Sequence, residues 1–293
     1  MIRRLGPSAT FAAAALAVLA VAAVGAPLVE ALMGLDAEAV DLFGRLQPPS
    51  PEHPLGTDEL GRDLLLRLLY GGRVSLTVGV VAAVAASAVG TAIGLAAGYL
   101  GGRIDALLMR LADGVIALPL LPLLIVLAAV DLTKLGLSAD AANSPTVLLG
   151  RLVVLVTLVG WPTTARLVRA ATLSLRRREF VQAAQALGYS PMRIAARHVL
   201  PNAAAPILVA TTLAVGNVVL FESVLSFLGL GIRPPTPSWG NMLTGAQELI
   251  WESPRLAIWP GMLIFVTVVS VNLLGDALRD ALDPRSRRRS SGG

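Results

Sequence analysis

The sequence has no cysteine and very few histidines and lysines, and these absences exclude whole classes of chemistry. Without cysteine there are no disulfides, thiolate metal sites or cysteine nucleophiles. The two histidines, His53 and His198, stand in separate polar segments and supply neither a multi-histidine metal site nor a Ser-His-Asp set. The one lysine, Lys134, is followed by leucine, so the chain lacks the phosphate-binding loop that ends in Gly-Lys-Ser/Thr. We therefore predict no catalytic residue, no metal and no cofactor.

Charged residues are also scarce, at 15% of the chain against about 25% in soluble domains. Apolar residues make up 55% and aromatic residues 4%, and the mean hydropathy is +0.72. This composition predicts an all-α polytopic membrane protein. The net charge of +5 comes almost entirely from arginines, and because there is no soluble basic domain it does not indicate nucleic-acid binding.

Six apolar runs are long enough for membrane helices, which need about 20 residues. Arg3 and Arg4 precede the first run, as in a secretory signal, but this run is longer than the apolar stretch of about 7–15 residues in such signals. For this reason we favour a retained anchor over a cleaved signal. The predicted spans are residues 9–32, 74–99, 111–130, 146–165, 203–228 and 256–278.

Glycine and proline predict details of these spans. Gly90, Gly94 and Gly98 recur every four residues, a pattern typical of a face for close helix contact in lipid. Pro119 and Pro122 predict that the third span is kinked or broken. Between the spans, the sequence predicts polar loops over 34–73, 101–110, 131–145 and 229–255, with a short interfacial helix at 64–70.

The basic residues are distributed unevenly between the two sides of the predicted bundle. With the N-terminus inside, the inner segments hold sixteen arginines, whereas the outer loops hold seven basic residues among many acids. Cytoplasmic loops carry an excess of arginine and lysine, so we predict that both termini are cytoplasmic. The inner segments are 1–8, 101–110, 166–201 and 279–293.

Glu222 lies within the fifth predicted span and is the best candidate for a side chain on a translocation path. Ionisable groups inside membranes usually face a wet cavity or the interior of a helix bundle. An interhelical hydrogen bond or ion pair is the alternative role, and the sequence leaves both open. Asp113 and Asp276, near the inner ends of spans, favour anchoring or pairing between subunits. The aromatic residues expected at the outer membrane interface are Trp239, Trp251 and Trp259.

The most polar long segment, residues 179–202, lies between two apolar runs and predicts a two-helix elbow. The first helix covers 179–187, Gly188 provides a left-handed stop, and the second helix covers 192–200 until Pro201 ends it. Because membrane helices hold both of its ends, such an elbow can convert a push from a soluble partner into helix tilt. A solvated connector is the alternative, and the local features alone leave both open.

The spacing within this elbow resembles the EAA motif of the permease subunits of binding-protein-dependent ABC importers. That motif is written E-A-A, three residues, G, nine residues, I-x-L-P. Gln182 replaces the usual glutamate and keeps its hydrogen bonding but not its charge, and His198 stands at the isoleucine position. The residues that match the motif's spacing, and to which the resemblance gives an ATPase-coupling role, are Gln182, Ala183, Ala184, Gly188, Leu200 and Pro201.

Three further segments are similar to permeases of the dipeptide/oligopeptide (DppC/OppC-like) type, and they extend the resemblance over nearly the whole chain. They are HPLGTDELGRDLLLRLLYGGRVSL at 53–76, LSFLGLGIRPPTPSWGNML at 225–243 and NLLGDALRDALDPR at 272–285. The resemblance implies a type I ABC importer permease fold with six transmembrane helices and a cytoplasmic coupling helix. The implied organisation is a first span with its cytoplasmic end (1–33), an extracytoplasmic loop (34–73), a five-helix core (74–278) containing the coupling loop (166–201), and a cytoplasmic tail (279–293).

The resemblance also implies partners and a location. The partners are a sister permease in a heterodimer, two cytoplasmic ABC ATPases that hydrolyse the ATP, an extracytoplasmic solute-binding protein and membrane lipid. The location is the inner membrane of a prokaryote. The expected function is import of dipeptides or oligopeptides. The alternatives are import of nickel or another small solute, or an ATP-independent carrier or channel.

Overall fold

The computed structural model describes residues 6–282, and within that range the chain is almost entirely helical. The described residues form no β-strand, only an isolated bridge between Thr57 and Asp63. Most of the predicted tail and the first two arginines lie outside the described residues. The helices are α1 (Pro7–Val24), α2 (Ala26–Met33), α3 (Leu64–Leu100), α4 (Gly102–Ala117), α5 (Leu120–Ala128), α6 (Ala139–Asn143), α7 (Pro145–Leu175), α8 (Glu179–Ala186), α9 (Pro191–Ile194), α10 (Leu200–Phe227), α11 (Trp239–Ala246) and α12 (Arg255–Leu282), with short 3₁₀ turns at Leu42–Gly44 and Leu132–Leu135 and a π turn at Ala195–Val199.

Five helices are long and apolar enough to span a membrane, namely α1, α3, α7, α12 and the continuous helix Pro191–Phe227. A sixth span results when α4 and α5, which are bent by 88° at their junction, are counted as one. Pro119 stands at this junction as the N-cap of α5. The break follows from proline's missing N–H and from its steric effect on the preceding residue. The predicted all-helical polytopic architecture and the broken third span are confirmed.

Helix α3 begins ten residues earlier than the predicted second span. The side chain of Asp63 caps it by accepting a hydrogen bond from the Leu66 backbone N–H at 2.8 Å. The prediction of a separate interfacial helix at 64–70 is therefore wrong, because these residues form the first two turns of a 37-residue helix. Gly71 and Gly72 follow without breaking it, since they lie against Trp239; a Cβ at Gly72 would stand only 2.8 Å from Trp239 Cζ2.

The predicted loop at 101–110 is also wrong, because helix α4 starts at Gly102. Its acidic residues are held by arginines of α7. Asp105 accepts two hydrogen bonds from Arg169, at 2.5 and 2.6 Å, and Asp113 forms an ion pair with Arg166. Each pair gives an acidic side chain of α4 a counter-ion, which lowers the cost of its charge close to the membrane. For Asp113, the partner in this structure belongs to the same chain.

The glycine face of α3 packs directly against α7. A Cβ at Gly90 would stand 2.5 Å from the Trp161 carbonyl oxygen, and one at Gly94 would stand 2.4 Å from the Ala165 carbonyl oxygen. At Gly98 the nearest atom is Thr172 Cβ, at 2.7 Å. No side chain fits at these distances, so the two backbones approach closely only because these positions are glycine. The predicted close-contact face is confirmed.

Three apolar clusters lie along the bundle. The central one joins α3, α5, α7 and α10 around residues such as Val78, Leu124 and Leu152. A second lies at one end, where Trp239 packs with Leu64 and Leu256, and a third lies at the opposite end beneath α8. Helix α1 packs on α12 and α3 at the side of this bundle. The clusters fix the spans relative to each other and hold the segments at both ends.

Candidate functional site

The predicted elbow is formed by α8, Gly188 and α9. Gly188 has a φ of 78°, in the left-handed region that favours glycine, and its N–H donates to the Gln185 carbonyl at 2.9 Å. The Tyr189 N–H donates to the Ala184 carbonyl at 3.2 Å, so these two carbonyls near the end of α8 are satisfied. A Cβ at Gly188 would have no neighbour within 4 Å. Within this chain, glycine is thus required here by the backbone conformation and not by lack of space.

The two faces of α8 differ in their surroundings. Val181 and Ala184 are buried against the cluster that contains Tyr99, Ile194 and Val199. Gln182 and Ala183 are exposed on the other face, and Gly188, just after the helix, is exposed as well. The six residues that match the motif are therefore divided: Ala184 packs inside the chain, whereas Gln182, Ala183, Gly188 and Pro201 face outward and Leu200 is half-buried.

Pro201 does not end the second helix of the elbow, and this part of the prediction is wrong. The helix continues from Pro191 to Phe227 through the π turn at Ala195–Val199, where the Leu200 N–H bonds to the Ala195 carbonyl. Proline has no N–H to donate to the preceding turn of a helix. The wider π turn lies directly before Pro201 and changes the hydrogen-bond register there, so the helix continues through the proline. The elbow is therefore continuous with a membrane-spanning helix.

Aromatic and basic residues brace the elbow, and the sequence reasoning did not single out the two tyrosines. The Arg193 guanidinium lies 4.8 Å from the centre of the Tyr189 ring, and the His198 ring stacks on Tyr189 at 6.3 Å. Beneath α8, the Arg176 guanidinium lies 5.7 Å from the centre of the Tyr99 ring at the end of α3. Cation–π contacts of this kind give modest stabilisation at exposed sites. The contacts of Tyr189 join the turn after α8 to the long helix, and the Arg176–Tyr99 contact joins α7 to α3.

Glu222, near the other end of that helix, is fully buried within the chain. Its carboxylate accepts hydrogen bonds from Ser75 Oγ at 2.8 Å and from Ser226 Oγ at 2.7 Å. The two serines in turn accept backbone N–H groups, Ser75 from Trp239 at 3.2 Å and Ser226 from Ile232 at 3.0 Å. This arrangement supports the hydrogen-bonding alternative in the observed conformation, and the path role of Glu222 stays a prediction.

Trp239 lies at the start of α11, and its expected place at the membrane interface is wrong. Only 2% of the residue is exposed, and its indole N–H donates to the Leu68 carbonyl at 3.0 Å. It fills the space left by Gly71 and Gly72. The signal for this contact in the sequence was the Gly-Gly pair, which makes room for a large ring. Trp251 is 94% exposed, as an interfacial residue would be.

The segment between α2 and α3 folds into a cap on the same end of the bundle, although the sequence predicted only a polar connection. Asp58 forms buried ion pairs with Arg62 at 2.7 Å and with Arg67 at 3.3 Å. Arg255 at the start of α12 donates to the carbonyls of Leu46 and Gln47, both at 2.7 Å. The cap is thereby fixed to α3 and α12. No group of three or more potential metal ligands occurs among residues 6–282.

Residues 90–288 match the family described as "Binding-protein-dependent transport system inner membrane component". The match covers more than half of the chain, from Gly90 in the C-terminal part of α3 onward. The chain therefore belongs to this family, whose members are permease subunits of ABC importers. It is a multi-pass inner-membrane protein that works with separate ATPase subunits and a binding protein, and ATP hydrolysis takes place on the ATPase chains.

Similar proteins cover most of the chain. The chain is 42% identical over 243 residues to the dipeptide transport system permease protein DppC of Alkalihalophilus pseudofirmus (83% of this chain, 75% of that protein). It is 43% identical over 237 residues to the glutathione transport system permease protein GsiD of Shigella flexneri (81% and 74%). It is 36% identical over 253 residues to the oligopeptide transport system permease protein OppC of Bacillus subtilis (86% and 78%).

A solved structure of the MetNI methionine ABC transporter, in inward-facing conformations, shares the fold. The superposition has a TM-score of 0.58 at 16% sequence identity and covers 75% of this chain and 98% of that chain. At this identity the similarity shows the fold alone. The predicted type I ABC importer permease fold is confirmed by it and by the family match.

Proposed function

We propose that this chain imports peptides, as one half of a heterodimer whose two permeases enclose the translocation path within the lipid bilayer. The observation that carries the proposal is the similarity over more than four fifths of the chain to proteins named for dipeptide, oligopeptide and glutathione transport. All three names denote peptides. Nickel or another small solute is the second candidate for the same machinery, and an ATP-independent carrier is disfavoured by the family.

The exposed face of α8 is the proposed docking surface for an ATPase subunit. Gln182, Ala183 and Gly188 present a small, uncharged surface that another protein can approach closely. The buried Ala184 and the half-buried Leu200 set the packing of α8 and of the long helix from within, and the exposed Pro201 follows Leu200 directly. In this proposal, closure of the ATPase pair moves α8 and switches the permease between inward- and outward-facing states.

Both termini and the elbow are proposed to be cytoplasmic, and the cap extracytoplasmic. The excess of arginine on the elbow side supports this orientation. The solute-binding protein then meets the end that carries the cap, Trp239 and the Glu222 hydrogen bonds. The functional core consists of the five spans from α3 to α12, with α1 as an additional span beside them.

The proposal is tested by purifying the complex through a tag on this chain and reconstituting it in liposomes with its binding protein. A sister permease and two ATPase chains are expected to copurify. ATP inside the liposomes is expected to drive uptake of labelled dipeptides or tripeptides, and a hydrolysis-deficient ATPase serves as the control. Uptake of Ni²⁺ without peptide uptake would favour the second candidate, and ATP-independent uptake by this chain alone would contradict both.

A further inference from the structure

The spans contain two asparagine side chains without a hydrogen-bond partner among residues 6–282. Asn217 on α10 and Asn272 on α12 are both exposed on the surface of the chain. The other asparagines are all bonded: Asn143 to Ala139, Asn202 to His198, and Asn241 to Thr236 and Ile232. Among the asparagines of residues 6–282, the two without a hydrogen bond are therefore Asn217 and Asn272, both on membrane-spanning helices.

These two residues lie at the same depth in the membrane. Asn217 precedes the end of α10 at Phe227 by ten residues, and Asn272 precedes the end of α12 at Leu282 by ten residues. Each is thus about 15 Å from one end of a 28-residue helix and within about 5 Å of the helix midpoint. Since the hydrocarbon core is about 30 Å thick, both side chains stand near its midplane. Asn272 Nδ2 lies 3.8 Å from the Cβ position at Gly216, the neighbour of Asn217, and this contact places the two asparagines at about the same depth.

Lipid is an unfavourable neighbour for these side chains. An amide in hydrocarbon loses its hydrogen bonds to water and gains none in return. Polar residues at this depth usually face a bundle interior or a water-filled cavity. Other exposed residues of α10, such as Leu208 and Leu220, are apolar and tolerate lipid. The position of the two asparagines therefore indicates a wet or polar surface along the α10–α12 side of the chain.

We propose that Asn217 and Asn272 line the translocation path at its midpoint and hydrogen-bond the backbone of an extended peptide in transit. This inference rests on the proposed function. A carboxamide donates and accepts at once, so it matches both the N–H and the C=O groups of any peptide, independent of the peptide's side chains. Because it is uncharged, it binds neither peptide terminus tightly enough to hold the substrate in the path.

The first test measures whether water reaches these positions in the assembled complex. The chain has no cysteine, so Asn217→Cys and Asn272→Cys each introduce a single thiol into it. Both thiols are expected to react with a small cationic thiosulfonate in proteoliposomes, and peptide-loaded binding protein with ATP is expected to slow the reaction. Val154→Cys on α7, which replaces an exposed apolar side chain at similar depth, is expected to remain unlabelled. Unreactive thiols at 217 and 272 would overturn the inference.

The second test measures transport. Asn217→Leu and Asn272→Leu are expected to lower the rate of dipeptide uptake roughly fivefold to tenfold, because each removes one hydrogen bond to the substrate. ATP hydrolysis stimulated by the loaded binding protein should persist, and Asn217→Gln should retain most of the uptake. Thr212→Val is the control, since the Thr212 hydroxyl already bonds to the Leu208 carbonyl of its own helix.

Two other results would contradict the inference. Uptake at the parental rate by both leucine variants would show that the amides do not contact the peptide. Loss of the sister permease from these variants would assign the two residues to subunit contact. A parental complex that imports no peptide would instead contradict the proposed function, so the two failures are distinguishable.

Discussion

Glu222 joins three parts of the molecule through the hydroxyls of two serines. Ser75 belongs to α3 and Ser226 to α10, and both donate a hydrogen bond to the carboxylate. The two hydroxyls also accept hydrogen bonds from the backbone N–H groups of Trp239 and Ile232, which lie at either end of the loop before α11. A buried carboxylate is costly unless such donors compensate it. The residue therefore holds the loop against the spans, and a change in its hydrogen bonds is expected to act first on that loop.

Removing either partner of this network should destabilise the chain. Glu222→Gln and Ser75→Ala each leave a buried polar group without its partner, a loss of about 1–3 kcal/mol. Both are expected to lower the unfolding temperature of the purified complex. Thr77→Val is the matched control, because the Thr77 hydroxyl bonds only to the Arg73 carbonyl of its own helix. Altered uptake by Glu222→Gln at unchanged stability and assembly would instead support a direct role in the path.

Among the helices, the contact between α3 and α7 is determined by three glycines. In Gly94→Ala the new methyl group meets the Ala165 carbonyl oxygen of α7, a backbone atom that moves only with the whole helix. Gly114 on α4 has open space around it, so alanine there improves helix propensity by about 0.5–1 kcal/mol. Gly94→Ala is expected to lower the unfolding temperature, and Gly114→Ala to leave it unchanged or raise it. Equal unfolding temperatures would contradict the close contact.

The sequence predicted the spans well because apolar length and proline position act locally. Hydropathy placed the fifth span within a few residues, and Pro119 marked the break between α4 and α5. The presence of a proline did not predict that the helix continues through Pro201, because this continuation depends on the π turn that accommodates the missing N–H of the proline. The motif spacing located the elbow, and only the structure separated the buried Ala184 from the exposed Gln182.

The cap and the place of Trp239 could not be predicted from local signals. The Arg255 contacts with Leu46 and Gln47 join residues more than two hundred positions apart, and the Trp239 indole bonds to a carbonyl of α3. Such contacts depend on how the spans assemble. Polar, turn-rich sequence between spans indicates a loop, and buried ion pairs such as Asp58–Arg62 become visible only once the fold has brought these side chains together.

For the whole molecule, one continuous helix joins the elbow to the Glu222 network. It runs from Pro191, beside α8, to Phe227, just beyond Ser226. A displacement of α8 therefore has a rigid route to the opposite end of the bundle, where the loop before α11 and the cap are held. This geometry supports the hypothesis that ATPase movement on one side changes access on the other, through a helix that shifts between two arrangements.

The central claim is that the exposed face of α8 couples ATP hydrolysis to transport, and Gly188→Leu tests it most directly. The measurement is ATP hydrolysis by the reconstituted complex with and without peptide-loaded binding protein. Gly136→Leu is the matched control, because Gly136 also has a positive φ and no neighbour within 4 Å, but lies outside the elbow. Gly188→Leu is expected to insert and assemble normally yet lose the stimulation, while Gly136→Leu keeps it. Full stimulation in an assembled Gly188→Leu complex would contradict the coupling role of the elbow.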